Sequence, residues 1–230
     1  MKKDTSAITH DVYGKLQYVR KAAGKITGKQ PAVIFLHGSG TRGTDINVLM
    51  NLTFFQQSSR IGSAGSPFVV YAPLCSRNTW FDIFEQLQAF VKMVAESPEV
   101  DKDRLYLIGT SMGGYAAWQL AMTMPEYFAA LVAICGGGMR WTAKRLVNVP
   151  VWAFHGMDDR TVPPEESVHM VEGVKKAGGN AKLTLLENTT HNCWEYAYAQ
   201  QELVDWLLTQ EKHDRHIDED TEYADNLRFG

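Results

Sequence analysis

Short continuous apolar runs alternate along this chain with longer stretches in which apolar residues recur at helical spacing. Ala32-Val33-Ile34-Phe35-Leu36, Phe68-Val69-Val70-Tyr71-Ala72, Leu105-Tyr106-Leu107-Ile108, Ala130 to Cys135 and Val151-Trp152-Ala153-Phe154 have the continuous pattern, which belongs to strands buried on both faces. Val12 to Lys21 reads as one or two peripheral strands and Ala181 to Leu186 as a last one. Phe81 to Ala95 places Ile83, Phe84, Leu87, Phe90, Val91 and Val94 on one helical face and closes before Pro98. Further helices are expected from Asn47 to Gln57, from Gly113 to a stop at Pro125, and from Glu165 to Ala177, where Gly178-Gly179 marks the end. A final helix is expected from Asn192 to Leu208, with Trp194, Tyr198, Leu203, Trp206 and Leu207 buried. Strands separated by helices imply parallel βαβ units with right-handed crossovers, an α/β fold with a mostly parallel central sheet and helices on both faces.

In an open parallel sheet, ligands bind beyond the carboxyl ends of the strands, so the residues just after each apolar run carry the candidate chemistry. After Leu105 to Ile108 comes Gly109-Thr110-Ser111-Met112-Gly113-Gly114. A serine flanked by glycines where a strand turns sharply into a helix is a nucleophile elbow, with the hydroxyl exposed over the sheet and the first N–H groups of the helix facing it. The motif alone is common by chance, and the strand before and helix after it carry the weight. The other strand ends are His37-Gly38-Ser39-Gly40, His155-Gly156-Met157-Asp158-Asp159-Arg160-Thr161-Val162-Pro163, and Thr189-Thr190-His191. They add an acid and a base. A serine hydroxyl is too weak an acid to attack unaided, so His191 is expected to take its proton and deliver it to the leaving group, with Asp158 or Asp159 orienting the imidazole. The backbone N–H of Met112 is the expected first donor to the oxyanion.

The order serine, aspartate, histidine is that of α/β-hydrolases, and His155-Gly-x-x-Asp159-x-x-Val162-Pro163 resembles the acid loop of that superfamily, particularly its dienelactone-hydrolase and carboxylesterase-like branches. The resemblance selects Asp159 over Asp158. The elbow, with Ala72-Pro73-Leu74-Cys75 and Thr79-Trp80-Phe81 upstream, is similar to the branch of predicted peptidases and feruloyl-esterase-like proteins, over about Gln30 to Leu208. It implies an α/β-hydrolase fold and a second oxyanion donor at Ser39. Its histidine often follows a glycine, where this chain has Thr190. Taken singly, His37 and His155 read as hydrogen-bonding residues beneath their loops, and neither is assigned to catalysis.

Length and composition narrow the reading. The 230 residues, 45% hydrophobic, are enough for one domain over 1–210, followed by a charged tail over 211–230. Net charge is −3, without a dense basic patch, which disfavours nucleic acid. No apolar stretch approaches the ~18 residues that span a bilayer, and a cytoplasmic location without membrane attachment is expected. Cys75, Cys135 and Cys193 lack zinc-type spacing and fit reduced thiols, although one pair stays open. Neither metal nor cofactor is implied. Only Gly136 to Val149 separates Cys135 from Pro150, too little for an inserted lid, so the fold is expected to be minimal, with an open cleft. Trp80 and Trp141 are candidate aromatic walls for an acyl or aryl group. Tyr223, Leu227 and Phe229 in the tail leave open docking on the body or on a second copy, a homodimer. The expected activity is cleavage of small carboxylic esters through an acyl-serine. A peptidase or thioesterase on the same residues, and a non-catalytic binding protein, remain as alternatives.

Overall fold

The computed structural model describes residues 7–22, 28–56, 58–63 and 65–212. Eight strands, β1 (Ala7–Tyr13), β2 (Leu16–Ala22), β3 (Gln30–Leu36), β4 (Val69–Pro73), β5 (Val100–Thr110), β6 (Ala130–Ile134), β7 (Val151–Gly156) and β8 (Ala181–Leu186), join in one sheet of order β1-β2-β4-β3-β5-β6-β7-β8. From β4 to β8 every neighbouring pair is parallel. The β1–β2 hairpin adds an antiparallel edge on β4. The helices are α1 (Phe84–Ala95), α2 (Met112–Thr123), α3 (Glu165–Lys176), α4 (Trp194–Ala199) and α5 (Gln201–Thr209).

Successive strand side chains point to opposite faces, so Leu105 and Leu107 enter one core layer while Tyr106 and Ile108 enter the other. α1, α2 and α3 cover the first layer through Phe90, Trp118 and Met170. α4, α5 and the segment after β3 cover the second through Tyr198, Leu207 and Phe54. Helices therefore lie on both faces, and the inner stretches of the central strands, such as Leu105 to Ile108 of β5, are apolar because neither face meets water there.

Two expected helices differ. Residues 46–55 form 3₁₀ turns at Ile46–Asn51 and Thr53–Phe55, with Leu52 extended between them. The buried residues there, Leu49, Phe54 and Phe55, do not share one α-helical face, and Phe54 stacks on Phe35 at 3.8 Å. The final helix breaks at Gln200, which is extended (φ −77°, ψ 119°). The Tyr198 carbonyl, which would accept from Glu202 in a continuous helix, instead accepts from Arg60 N at 2.8 Å.

β3 lies between β4 and β5, so the chain leaves β3 on one side and returns on the other. Such a switch point opens a crevice at the carboxyl ends of the strands, here between His37 after β3 and Ser111 after β5. Between β6 and β7 the chain holds one 3₁₀ segment, Arg140–Leu146, and no inserted cap. Among the described residues no helix is long and apolar enough to cross a membrane. The docking expected of Tyr223, Leu227 and Phe229 falls outside the described residues.

Candidate active site

Ser111 adopts φ 55° and ψ −121° between β5 and α2, a conformation that costs a non-glycine residue about 1–3 kcal/mol. Its N–H donates to Ile134 O at 2.8 Å, and its carbonyl accepts from Tyr115 N at 3.1 Å. The turn presses α2 against the sheet. A Cβ added at Gly109 would lie 2.1 Å from Gly113 O, and one at Gly113 would lie 2.0 Å from Leu36 O. The flanking glycines are therefore a requirement of close backbone approach.

Ser111 Oγ stands 2.8 Å from His191 Nε2, and His191 Nδ1 stands 2.6 Å from Asp159 Oδ2. The structure thus brings together the serine, the histidine and the second of the two adjacent aspartates. Asp159 Oδ1 accepts from Thr161 N at 2.8 Å and Val162 N at 2.9 Å. Burial alone would raise its pKa, but the hydrogen bonds from His191 and from the Val162 and Thr161 amides prevail, and the net direction is downward. An ionised Asp159 accepts the Nδ1–H of His191, which leaves the Nε2 lone pair facing the serine hydroxyl. His191 reaches this position because its loop crosses directly over Gly156, where a Cβ would meet Thr189 O and Thr190 O at 2.3 Å.

The loop after β3 runs alongside the serine: a Cβ built at Gly38 would lie 3.4 Å from Ser111 Cβ. Ser39 opens a 3₁₀ turn and Met112 opens α2, so both N–H groups sit where a helix has no acceptor of its own to offer them. Beneath the loop, His37 Nε2 accepts from Cys75 N at 3.0 Å and Nδ1 donates to Gly38 O at 2.7 Å. Burial lowers the His37 pKa to about 4 against the Gly38 hydrogen bond, with the charge of Arg42 acting in the same direction as burial. His37 is a neutral strut.

Trp80 is not the pocket wall expected. It is fully buried, and its indole N–H donates to His37 O at 3.0 Å. A large apolar ring with one polar atom is stable in a core when that atom finds an acceptor, and the His37 carbonyl provides it.

The sequence profile of the family described as "Dienelactone hydrolase family" matches residues 60–203. The chain belongs to the dienelactone hydrolase family. It is 26% identical over 165 residues to monoacylglycerol lipase abhd6-B of Xenopus laevis, a match covering 68% of this chain and 45% of the lipase. Among solved structures, a thermostable esterase is similar with a TM-score of 0.77 and 29% identity, covering 90% of this chain and 64% of that one. Est1E from Butyrivibrio proteoclasticus has a TM-score of 0.65 at 15% identity, covering 88% and 99%. The chain thus spans less than two thirds of the length of the lipase and of the thermostable esterase. The sheet and its flanking helices are the α/β-hydrolase fold expected from the motifs.

In this member of the dienelactone hydrolase family, Trp141 is 76% exposed on the 3₁₀ segment between β6 and β7. A cavity of about 900 Å³ lies between the loops after β3 and β4, lined by Ser39, Arg42, Ser76, Arg77, Asn78 and Asp82 among others. Arg42 ties these loops together, donating from Nε to Ser39 O at 2.8 Å and from Nη1 to Asn78 O at 2.7 Å. Trp194 packs perpendicular to His191 with ring centroids 5.5 Å apart, and Tyr198 hydrogen-bonds Thr110 beside the serine. Sequence reasoning placed both aromatics in the core-facing stripe of a helix and had no signal for these contacts. Cys75, Cys135 and Cys193 are buried free thiols. Among the described residues no group of three His, Cys, Asp or Glu is placed to hold a metal ion.

Proposed function

We propose that the protein is a serine hydrolase that cleaves carboxylic esters, with short acyl and aryl esters as its substrate class, through an acyl-serine at Ser111. The observation that carries this reading is the unbroken hydrogen-bonded line from Ser111 Oγ through His191 to the buried Asp159, at 2.8 and 2.6 Å. The names of the relatives, an esterase and a lipase among them, support it.

As Ser111 Oγ bonds to the ester carbon, its proton passes to His191 Nε2 and the carbonyl electron pair moves onto oxygen. The N–H groups of Met112 and Ser39 receive that charge, each such donor being worth about 10²–10³ in rate. Asp159 holds the ring in the productive tautomer and stabilises the imidazolium. Collapse of the tetrahedral intermediate breaks the bond to the leaving alcohol, which takes the proton from Nε2. Water then attacks the acyl-serine by the same route, releasing the acid and restoring Ser111.

The test is hydrolysis of p-nitrophenyl acetate, butyrate and octanoate by wild type and Ser111→Ala, each checked for folding. Turnover that falls with acyl length, and that drops at least about 10³-fold in the variant, is expected. Undiminished turnover by Ser111→Ala would overturn the proposal.

A further inference from the structure

Asp159 has more partners than a simple dyad with His191 needs. Its Oδ1 takes two backbone amides, and its Oδ2 takes His191 Nδ1 at 2.6 Å. A fourth nitrogen, His155 Nε2, lies 3.2 Å from the same Oδ2, with both side chains fully buried. This imidazole comes from β7, beneath the acid loop, and hydrogen-bonds neither Ser111 nor His191.

The partner of His155 Nε2 fixes a proton on that nitrogen. Val162 O, 2.9 Å from Nε2, can only accept, so Nε2 carries a proton, and Asp159 Oδ2 lies 3.2 Å from the same nitrogen. Burial holds the imidazole pKa below its usual value, opposed by the Val162 carbonyl and by Asp159. Ser167 Oγ donates to Gly136 O at 2.8 Å and lies 2.7 Å from Nδ1, so it holds the far edge of the ring in place. A carboxylate has about four lone-pair sites, and here four N–H groups converge on it. With three, Oδ2 would answer to His191 alone, while Oδ1 kept its two amides.

We propose that His155 is a positioning residue, an Nε2–H donor that locks the Asp159 carboxylate so that Oδ2 stays aligned with His191, with Ser167 holding the ring in place. This rests on the reading of Ser111, His191 and Asp159 as a nucleophile and its relay.

The experiment follows the rate at which a fluorophosphonate labels Ser111, as a function of probe concentration, in wild type, Asp159→Asn, His155→Asn, His155→Gln and the double variant His155→Asn/Asp159→Asn. A Gln amide reaches the place of Nε2, whereas an Asn amide reaches only that of Nδ1. The comparison between the two therefore survives any general loss of stability from removing the ring, and melting curves accompany each. The expected result is that His155→Asn lowers the limiting rate about 10- to 100-fold with the half-saturating concentration unchanged, the effect of losing one well-placed hydrogen bond. His155→Gln should stay within about threefold of wild type. In the Asp159→Asn background His155→Asn should add less than about twofold, because its route of action is already gone. A wild-type rate in His155→Asn, equal losses in Asn and Gln, or a full further loss in the double variant overturns the inference while leaving the hydrolase reading intact. A wild type whose Ser111 does not label, or labels no faster than Asp159→Asn, overturns the reading and the inference with it.

Discussion

Gly113→Ala tests whether the elbow depends on backbone contact. The added methyl would sit 2.0 Å from Leu36 O, 2.5 Å from Leu36 C and 2.7 Å from His37 O. All three are main-chain atoms at the end of β3 and the start of the loop after it, so no side chain can swing aside. Contacts below 3.0 Å essentially never occur, so α2 and β3 must part by at least about 1 Å, an overpacking that costs about 1–3 kcal/mol and occasionally more. For a chain of this size each kcal/mol lowers Tm by about 2–4 °C, and a fall of about 2–12 °C is expected. The same displacement reaches Ser111, two residues earlier, and the Met112 N–H beside it. A misplacement of about 1 Å costs about 100-fold in rate, to be read as kcat on p-nitrophenyl butyrate. Gly40→Ala is the stability control, because a Cβ there meets open space, and its Tm should match wild type. A Gly113→Ala protein with unchanged Tm and kcat would refute the claim that strand and helix touch here.

Arg42→Ala removes the two hydrogen bonds that tie Ser39 O to Asn78 O, and kcat should fall about tenfold, the worth of one or two partly exposed hydrogen bonds, with KM little changed. A raised KM at constant kcat would instead mean that Arg42 holds substrate. Stability should decline as pH falls from about 6.5, the usual histidine value, toward 4, since His37 stays neutral in the fold until about pH 4 while the unfolded chain protonates. The slope from this one group is at most about 1.4 kcal/mol per pH unit. The lowered pKa of Asp159 acts in the same direction, its contribution being present above the unfolded carboxylate value and lost as pH falls through the folded one. Thermal melts from pH 4 to 7.5 should therefore be steeper for wild type than for His37→Gln, and parallel curves would count against a buried neutral His37.

The chain carried its fold class and the members of the candidate site in local patterns. A stretch of strand buried on both faces has to be apolar at every position, which is why β3, the Leu105 to Ile108 part of β5, β6 and β7 were legible from their continuous apolar runs, and a strand-to-helix turn at a serine requires glycines at 109 and 113, which marked the elbow. Residues just beyond strand ends then supplied the serine, aspartate and histidine. What local pattern could not carry was every feature decided by a distant partner. Ser111 and His191 are 80 residues apart, and Trp80 is held by a carbonyl 43 residues before it. The 46–55 segment gave up an α-helix to place Phe54 on Phe35, and the last helix broke where Arg60 took the Tyr198 carbonyl. The motif selected Asp159 over Asp158, but its partners, the Thr161 and Val162 amides and His191, are set by the fold. Hydrophobic periodicity records which side of an element faces the core. It does not record which atom waits on the other side, and at this site that atom determines what each residue does.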